Sequence, residues 1–83
     1  MSIRLYVSNL PLSETEQKLA TRFGKFGVVL SVALEKARSR RGAFVEMKTS
    51  AEALSAIAAL NLSDFDGRLV SVYLALASVP TSS

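Results

Sequence analysis

The stretch "RRGAFVEM", residues 40–47, decides how this chain folds. It sets two arginines and a glycine against a run that alternates strictly, with Ala43, Val45 and Met47 on one side and Gly42, Phe44 and Glu46 on the other. A period of two is the pattern of a strand whose faces meet different environments. The first set matches a core face. Phe44 then stands as a lone ring among small and polar neighbours, and it either packs into the core or faces water as a surface for a flat partner.

The neighbouring segments decide between the two. Upstream, "VVLSVALE" (28–35) is rich in β-branched residues and sets Val32 and Leu34 against Ser31, Ala33 and Glu35, a second strand pattern. Between the two strands lies "KARSRR" (36–41), which holds Lys36, Arg38, Arg40 and Arg41, four of the ten cations of the chain. A charge run of this kind is in general a solvated turn. Here it leads directly into the strand that carries Phe44.

Further upstream, "IRLYVSN" (3–9) alternates Ile3, Leu5 and Val7 against Arg4, Tyr6 and Ser8 until Pro11 stops it. "LSETEQKLATRF" (12–23) reads as a helix, with Ser13 and Glu16 spaced as a capping box and Leu19, Ala20 and Phe23 as an apolar stripe; Gly24 and Gly27 end it. Downstream, "TSAEALSAIAALN" (49–61) repeats the grammar. Thr49 and Glu52 are spaced as a second capping box, and Ala53, Ala56, Ile57 and Leu60 fall at i, i+3, i+4 and i+7. After a loop around "DFDG" (64–67), "RLVSVYLAL" (68–76) is a last strand with Val70, Val72 and Leu74 inward and Leu69, Ser71 and Tyr73 outward.

The element order is therefore βαββαβ. That is an α+β, ferredoxin-like arrangement, in which two helices cover one face of a four-stranded antiparallel sheet and leave the other open. The expected strand order is 4-1-3-2, so the first and third strands are central neighbours. Both helices need the core face, and Phe44 is sent to the open face beside Tyr6. Two adjacent rings there form a stacking platform.

Composition narrows the chemistry. Eighty-three residues make one domain, expected over 1–77 with a flexible tail over 78–83. The chain has no cysteine and no histidine, which removes disulfides, thiolate metal sites and imidazole acid–base catalysis. No metal or other cofactor is expected. The first residues lack the apolar run of a signal peptide, and no apolar segment reaches the ~18 residues of a membrane helix, so the expected setting is cytoplasmic, without a membrane partner. Ten Lys and Arg against seven Asp and Glu leave a net charge of +3. An enzyme is not expected: "SNLPLSE" (8–14), after the first strand, has neither glycine nor arginine to cradle a phosphate.

Two motifs give the chain a family resemblance from about residue 3 to residue 77. "LYVSNL" (5–10) resembles the shorter signature of the RNA recognition motif family, and "RRGAFVEM" the longer one, written K/R-G-F/Y-G/A-F-V-x-F/Y. "FGKFG" (23–27), "AEALSAIAALN" (51–61) and "DGRLVSV" (66–72) are similar to the family pattern in the helices and last strand. In general look the chain is similar to the small single-domain members found in bacteria.

The resemblance implies that Tyr6 and Phe44 stack bases and that Arg40 reaches a phosphate. Arg4, Lys36, Arg38, Arg41, Asn9 and Glu46 complete the expected RNA-binding set. Tyr73 either extends the platform or covers its own sheet, and Glu35 and Glu46 on the open face either accept from a base edge or repel phosphate. Gly42 stands where the family has a third ring, and Met47 where it has a last aromatic. The turn between the second and third strands is shorter than in typical members, and the tail "LALASVPTSS" (74–83) lacks basic residues. These departures imply a weaker affinity. Single-stranded RNA is the expected partner, with single-stranded DNA acceptable to the same rings. The competing expectation is a protein-interaction or self-associating domain with weak or no RNA binding. Separately, Ser55, Ala58 and Ala59 of the second helix are read either as plain helix propensity or, with Leu76 and Val79 of the tail, as a weak homodimer patch away from the RNA face.

Overall fold

A computed structural model of the chain describes residues 2–11, 13–35 and 42–75. The elements run β1 (Ile3–Ser8), α1 (Glu16–Gly24), β2 (Val29–Leu34), β3 (Gly42–Met47), α2 (Ser50–Leu60), β4 (Asp64–Phe65), β5 (Arg68–Leu69) and β6 (Ser71–Leu74). The sheet order is β2-β3-β1-β6, all antiparallel, as the sequence pattern predicts once β6 is counted as its fourth strand. β4 and β5 form a separate two-stranded hairpin.

Periodicity assigns the faces correctly. Leu5, Val7, Ala43, Val45, Met47 and Val72 are buried from the sheet side, against Leu19 and Phe23 of α1 and Ala53 and Ala56 of α2. Leu10, Phe65 and Val70, outside the four-stranded sheet, close the core, and Val32, Leu34, Ile57 and Leu60 pack against its rim. Each large aliphatic or aromatic side chain removed from water in this way contributes about 1.5–3 kcal/mol. Leu74 is the exception: predicted inward, it is 44% exposed. It is the last residue of an edge strand that has β1 as its one neighbour, so the sheet margin leaves it partly uncovered.

The helix starts carry two corrections. Ser13 does not cap α1; Thr15 does, in an extended conformation, its hydroxyl accepting from the Lys18 N–H at 3.1 Å. A turn closed by the Glu14 N–H donating to Pro11 O at 3.1 Å carries Ser13 outside the helix, where its hydroxyl donates to Asp66 Oδ2. Thr49 caps α2 as expected, accepting from the Glu52 N–H at 3.2 Å. The Glu52 carboxylate, however, accepts from the Val28 N–H at 3.4 Å. It thereby ties the start of α2 to the approach of β2. Gly27 makes the tie feasible, because a Cβ there would lie 2.4 Å from Glu52 Cγ.

The segment read as a loop around "DFDG" is a tight hairpin. Asp66 and Gly67 both have positive φ, 53° and 94°, the conformation that a two-residue turn of matching twist requires and that Asp-Gly supplies readily. Asp64 Oδ1 accepts from the Gly67 N–H at 2.6 Å. Val70 then bonds back to the chain rather than to β1: its N–H donates to Ser63 O, and its carbonyl accepts from the Leu62 N–H. For that reason the last strand pattern is split into β5 and β6.

Candidate nucleic-acid interface

The open face is built around Tyr6. It stands on β1, a central strand, directly opposite Phe44 of β3 on one side and Tyr73 of β6 on the other. The Tyr6 and Phe44 ring centroids are 4.9 Å apart and tilted by 60°; those of Tyr6 and Tyr73 are 5.6 Å apart at 53°. Both pairs lie within the range of favourable aromatic contact. Tyr73 is half exposed, and Tyr6 and Phe44 are partly so. The three rings form one row across three strands.

Tyr6 has a fixed direction. Its hydroxyl donates to Glu35 Oε1 at 2.7 Å, so the ring reaches diagonally over Gly42 toward the end of β2. A Cβ at position 42 would lie 2.0 Å from Tyr6 Oη and 2.6 Å from Cζ. Gly42 is therefore the seat of the Tyr6 ring. The position where a third ring was expected is filled by a ring arriving from the neighbouring strand. The signal was present in the sequence, since parity puts Gly42 on the open face diagonal to Tyr6, but only the side-chain direction converts it into a contact.

Charge on this face is mixed. The Arg4 guanidinium lies 5.7 Å from the Phe44 ring centroid, opposite Glu46 in the register. Glu46 accepts from the Ser2 hydroxyl and, at 3.3 Å, from the Ser31 hydroxyl. The Ser2 hydrogen bond first, then that of Ser31 and the charge of Arg4, hold the Glu46 carboxyl below the usual glutamate range against an opposing desolvation effect. Asn9 lies at the end of β1 with φ 67°, and its side chain serves the hairpin. Its Nδ2 donates to Leu69 O at 2.7 Å, and its Oδ1 accepts from Arg68 Nη2 at 2.6 Å. Arg68, which the sequence pattern did not single out, is thus a clamp between β1 and the β4–β5 hairpin.

Lys36, Arg38, Arg40 and Arg41 lie outside the described residues, as do Leu76 and Val79. Ser55, Ala58 and Ala59 of α2 are exposed, together with Leu54. Among the described residues, no helix is long and apolar enough to cross a membrane.

A four-stranded sheet backed by two helices, with signature residues on its two central strands, defines a class, and the chain belongs to it: residues 5–71 match the RNA recognition motif family. Among curated proteins it is 39% identical to "Glycine-rich RNA-binding protein 1" of Mycosarcoma maydis over 79 residues, covering 90% of this chain and 45% of that protein. It is 40% identical to the chloroplastic "28 kDa ribonucleoprotein" of Spinacia oleracea over 78 residues, covering 89% of this chain and 34% of the relative. The chain thus spans less than half the length of these relatives. Among solved structures, "RNA Binding Protein PG1" aligns with a TM-score of 0.82 and 32% identity over 89% of this chain and 94% of that one. A "Sxl-lethal protein/RNA complex" aligns with a TM-score of 0.78 and 37% identity, over 88% of this chain and 47% of the other.

Proposed function

We propose that the chain is a binding module, not an enzyme, and that it holds single-stranded RNA on the open sheet face. The observation that carries this reading is the row of Phe44, Tyr6 and Tyr73 on the side away from both helices. Unstacked bases of single strands meet such rings face to face, and each stacked base contributes about 1–3 kcal/mol. Every base has a π-face, so the platform accepts single-stranded DNA as well. Arg4 beside Phe44 supplies one positive charge at the platform, and the cations of residues 36–41, between β2 and β3 in the sequence, add charge for the phosphates. The RNA-binding relatives and the neighbour solved with RNA support the same reading.

Titration of a fluorescein-labelled pool of single-stranded RNA octamers, read by anisotropy, tests it. The protein should bind, and binding should weaken as salt rises, because counterions are released when cations meet phosphates. Phe44→Ala should weaken binding by about 1–3 kcal/mol while thermal stability changes little. Binding that ignores both the substitution and the salt concentration would remove the platform from the account.

A further inference from the structure

Two carboxylates flank the rings, and their hydrogen bonds make them unequal. Glu46 has both oxygens engaged, Oε2 by the Ser2 hydroxyl and Oε1 by the Ser31 hydroxyl. Glu35 has Oε1 engaged by Tyr6 Oη, and among the described residues no hydrogen bond reaches Oε2. Its backbone is equally well fixed, since the Glu35 N–H donates to Gly42 O at 2.7 Å and continues the ladder past the end of β2. The side chain is half-buried. The Glu35 carboxylate is therefore anchored through Oε1 and through its backbone next to the Tyr6 ring, and Oε2 keeps its accepting capacity.

We propose that Glu35 reads the Watson–Crick edge of the base stacked on Tyr6, and that this position selects guanine. The inference rests on the stacking reading above and deepens it to a base identity. A carboxylate can only accept, and each of its oxygens has room for two donors, so Oε1 retains capacity beside the tyrosine hydroxyl. Guanine presents two adjacent donors, N1–H and the N2 amino group, at a spacing that matches two carboxylate oxygens. Adenine and cytosine each offer one amino group next to a ring nitrogen that is itself an acceptor and faces the second oxygen with like polarity. Uracil offers N3–H between two carbonyl oxygens, both repelled by the carboxylate. The order that follows is guanine, then cytosine and adenine, then uracil.

Glu35→Gln separates reading from positioning. The amide keeps an oxygen for Tyr6 Oη and the shape of the side chain, but replaces the second acceptor with a donor. The probes are four labelled octamers: all-uridine, and the same strand with one central guanosine, adenosine or cytidine, titrated by anisotropy at one salt concentration. The guanosine strand should bind the native chain on the order of tenfold more tightly than all-uridine, the scale on which a good bidentate side-chain–base pair discriminates. In Glu35→Gln that ratio should fall to about one, with all-uridine binding retained. Equal native affinities for the four strands would overturn the guanine assignment and leave the platform standing. A uniform loss across all four strands in Glu35→Gln would overturn it too, making Glu35 a tether for Tyr6 and nothing more. Failure of the native chain to bind any of them would remove the stacking reading and the inference together.

Discussion

Replacing Gly42 with alanine places a Cβ 2.0 Å from Tyr6 Oη, closer than any real contact, and one of the two must move. Because the clashing atoms are the far end of a side chain, Tyr6 swings away and loses its bond to Glu35. A hydrogen bond to a charged acceptor contributes about 1.5–3 kcal/mol in general, and the partly buried setting of this one puts it at the lower end. Against that loss, alanine in place of a strand glycine restores roughly 0.5–1 kcal/mol by removing unfolded-state freedom. The net change in stability is about 1 kcal/mol or less, a shift of no more than ~4–8 °C in Tm for a domain of this size. RNA affinity responds differently. Displacing Tyr6 removes the middle member of the row and should weaken binding by about 1–3 kcal/mol, a rise in Kd of roughly 5- to 150-fold. Calorimetry together with anisotropy titration measures both, and the Tyr6 ring proton shifts report whether the ring has moved. If the ring moves and affinity stays the same, Tyr6 is not a stacking residue. If the domain unfolds instead, glycine is needed by the backbone and not by the ring.

Other expectations are simpler. Tyr6→Ala should lower RNA affinity much as Phe44→Ala does, and the double substitution should fall short of the sum where adjacent bases bridge both rings, which a double-mutant cycle reads directly. Leu5→Ala, in the fully buried core beneath the platform, should cost about 2–5 kcal/mol in chemical unfolding. Thr49→Ala removes the cap of α2 and should cost about 1 kcal/mol in the same assay. Glu46 should titrate below the ordinary glutamate value of 4.5 in a carbon-detected NMR titration, and Ser2→Ala should raise its midpoint. Since its folded pKa is the lower one, the stabilisation it gives is present above the ordinary value and is lost as pH falls through the depressed one.

The sequence by itself determined the order of the two helices and the four sheet strands, the faces of those strands apart from Leu74, and Tyr6 as a neighbour of Phe44. Period-two alternation over residues 42–47 and 3–8 and helical spacing over 49–61 are local and redundant, and two helices competing for one sheet face leave a single consistent arrangement. Local grammar failed where a non-local partner outbid it. Ser13 has the spacing of a cap, but Asp66, far along the chain, takes its hydroxyl, and Thr15 caps in its place. Glu52 has the spacing of a capping box, yet its carboxylate goes to Val28. Asn9 matched a family signature, and tertiary structure assigned its amide to the hairpin through Leu69 and Arg68. The largest gap was at Gly42, which in sequence reads as a missing ring. Only the direction of the Tyr6 side chain, set by a hydrogen bond to Glu35 two strands away, makes that glycine the seat of a ring already present. Parity along a strand fixes the face on which a side chain emerges. Where its far end comes to rest depends on partners brought close by folding, and that is why the rings on the open face were legible in the sequence and the Tyr6–Glu35 contact was not.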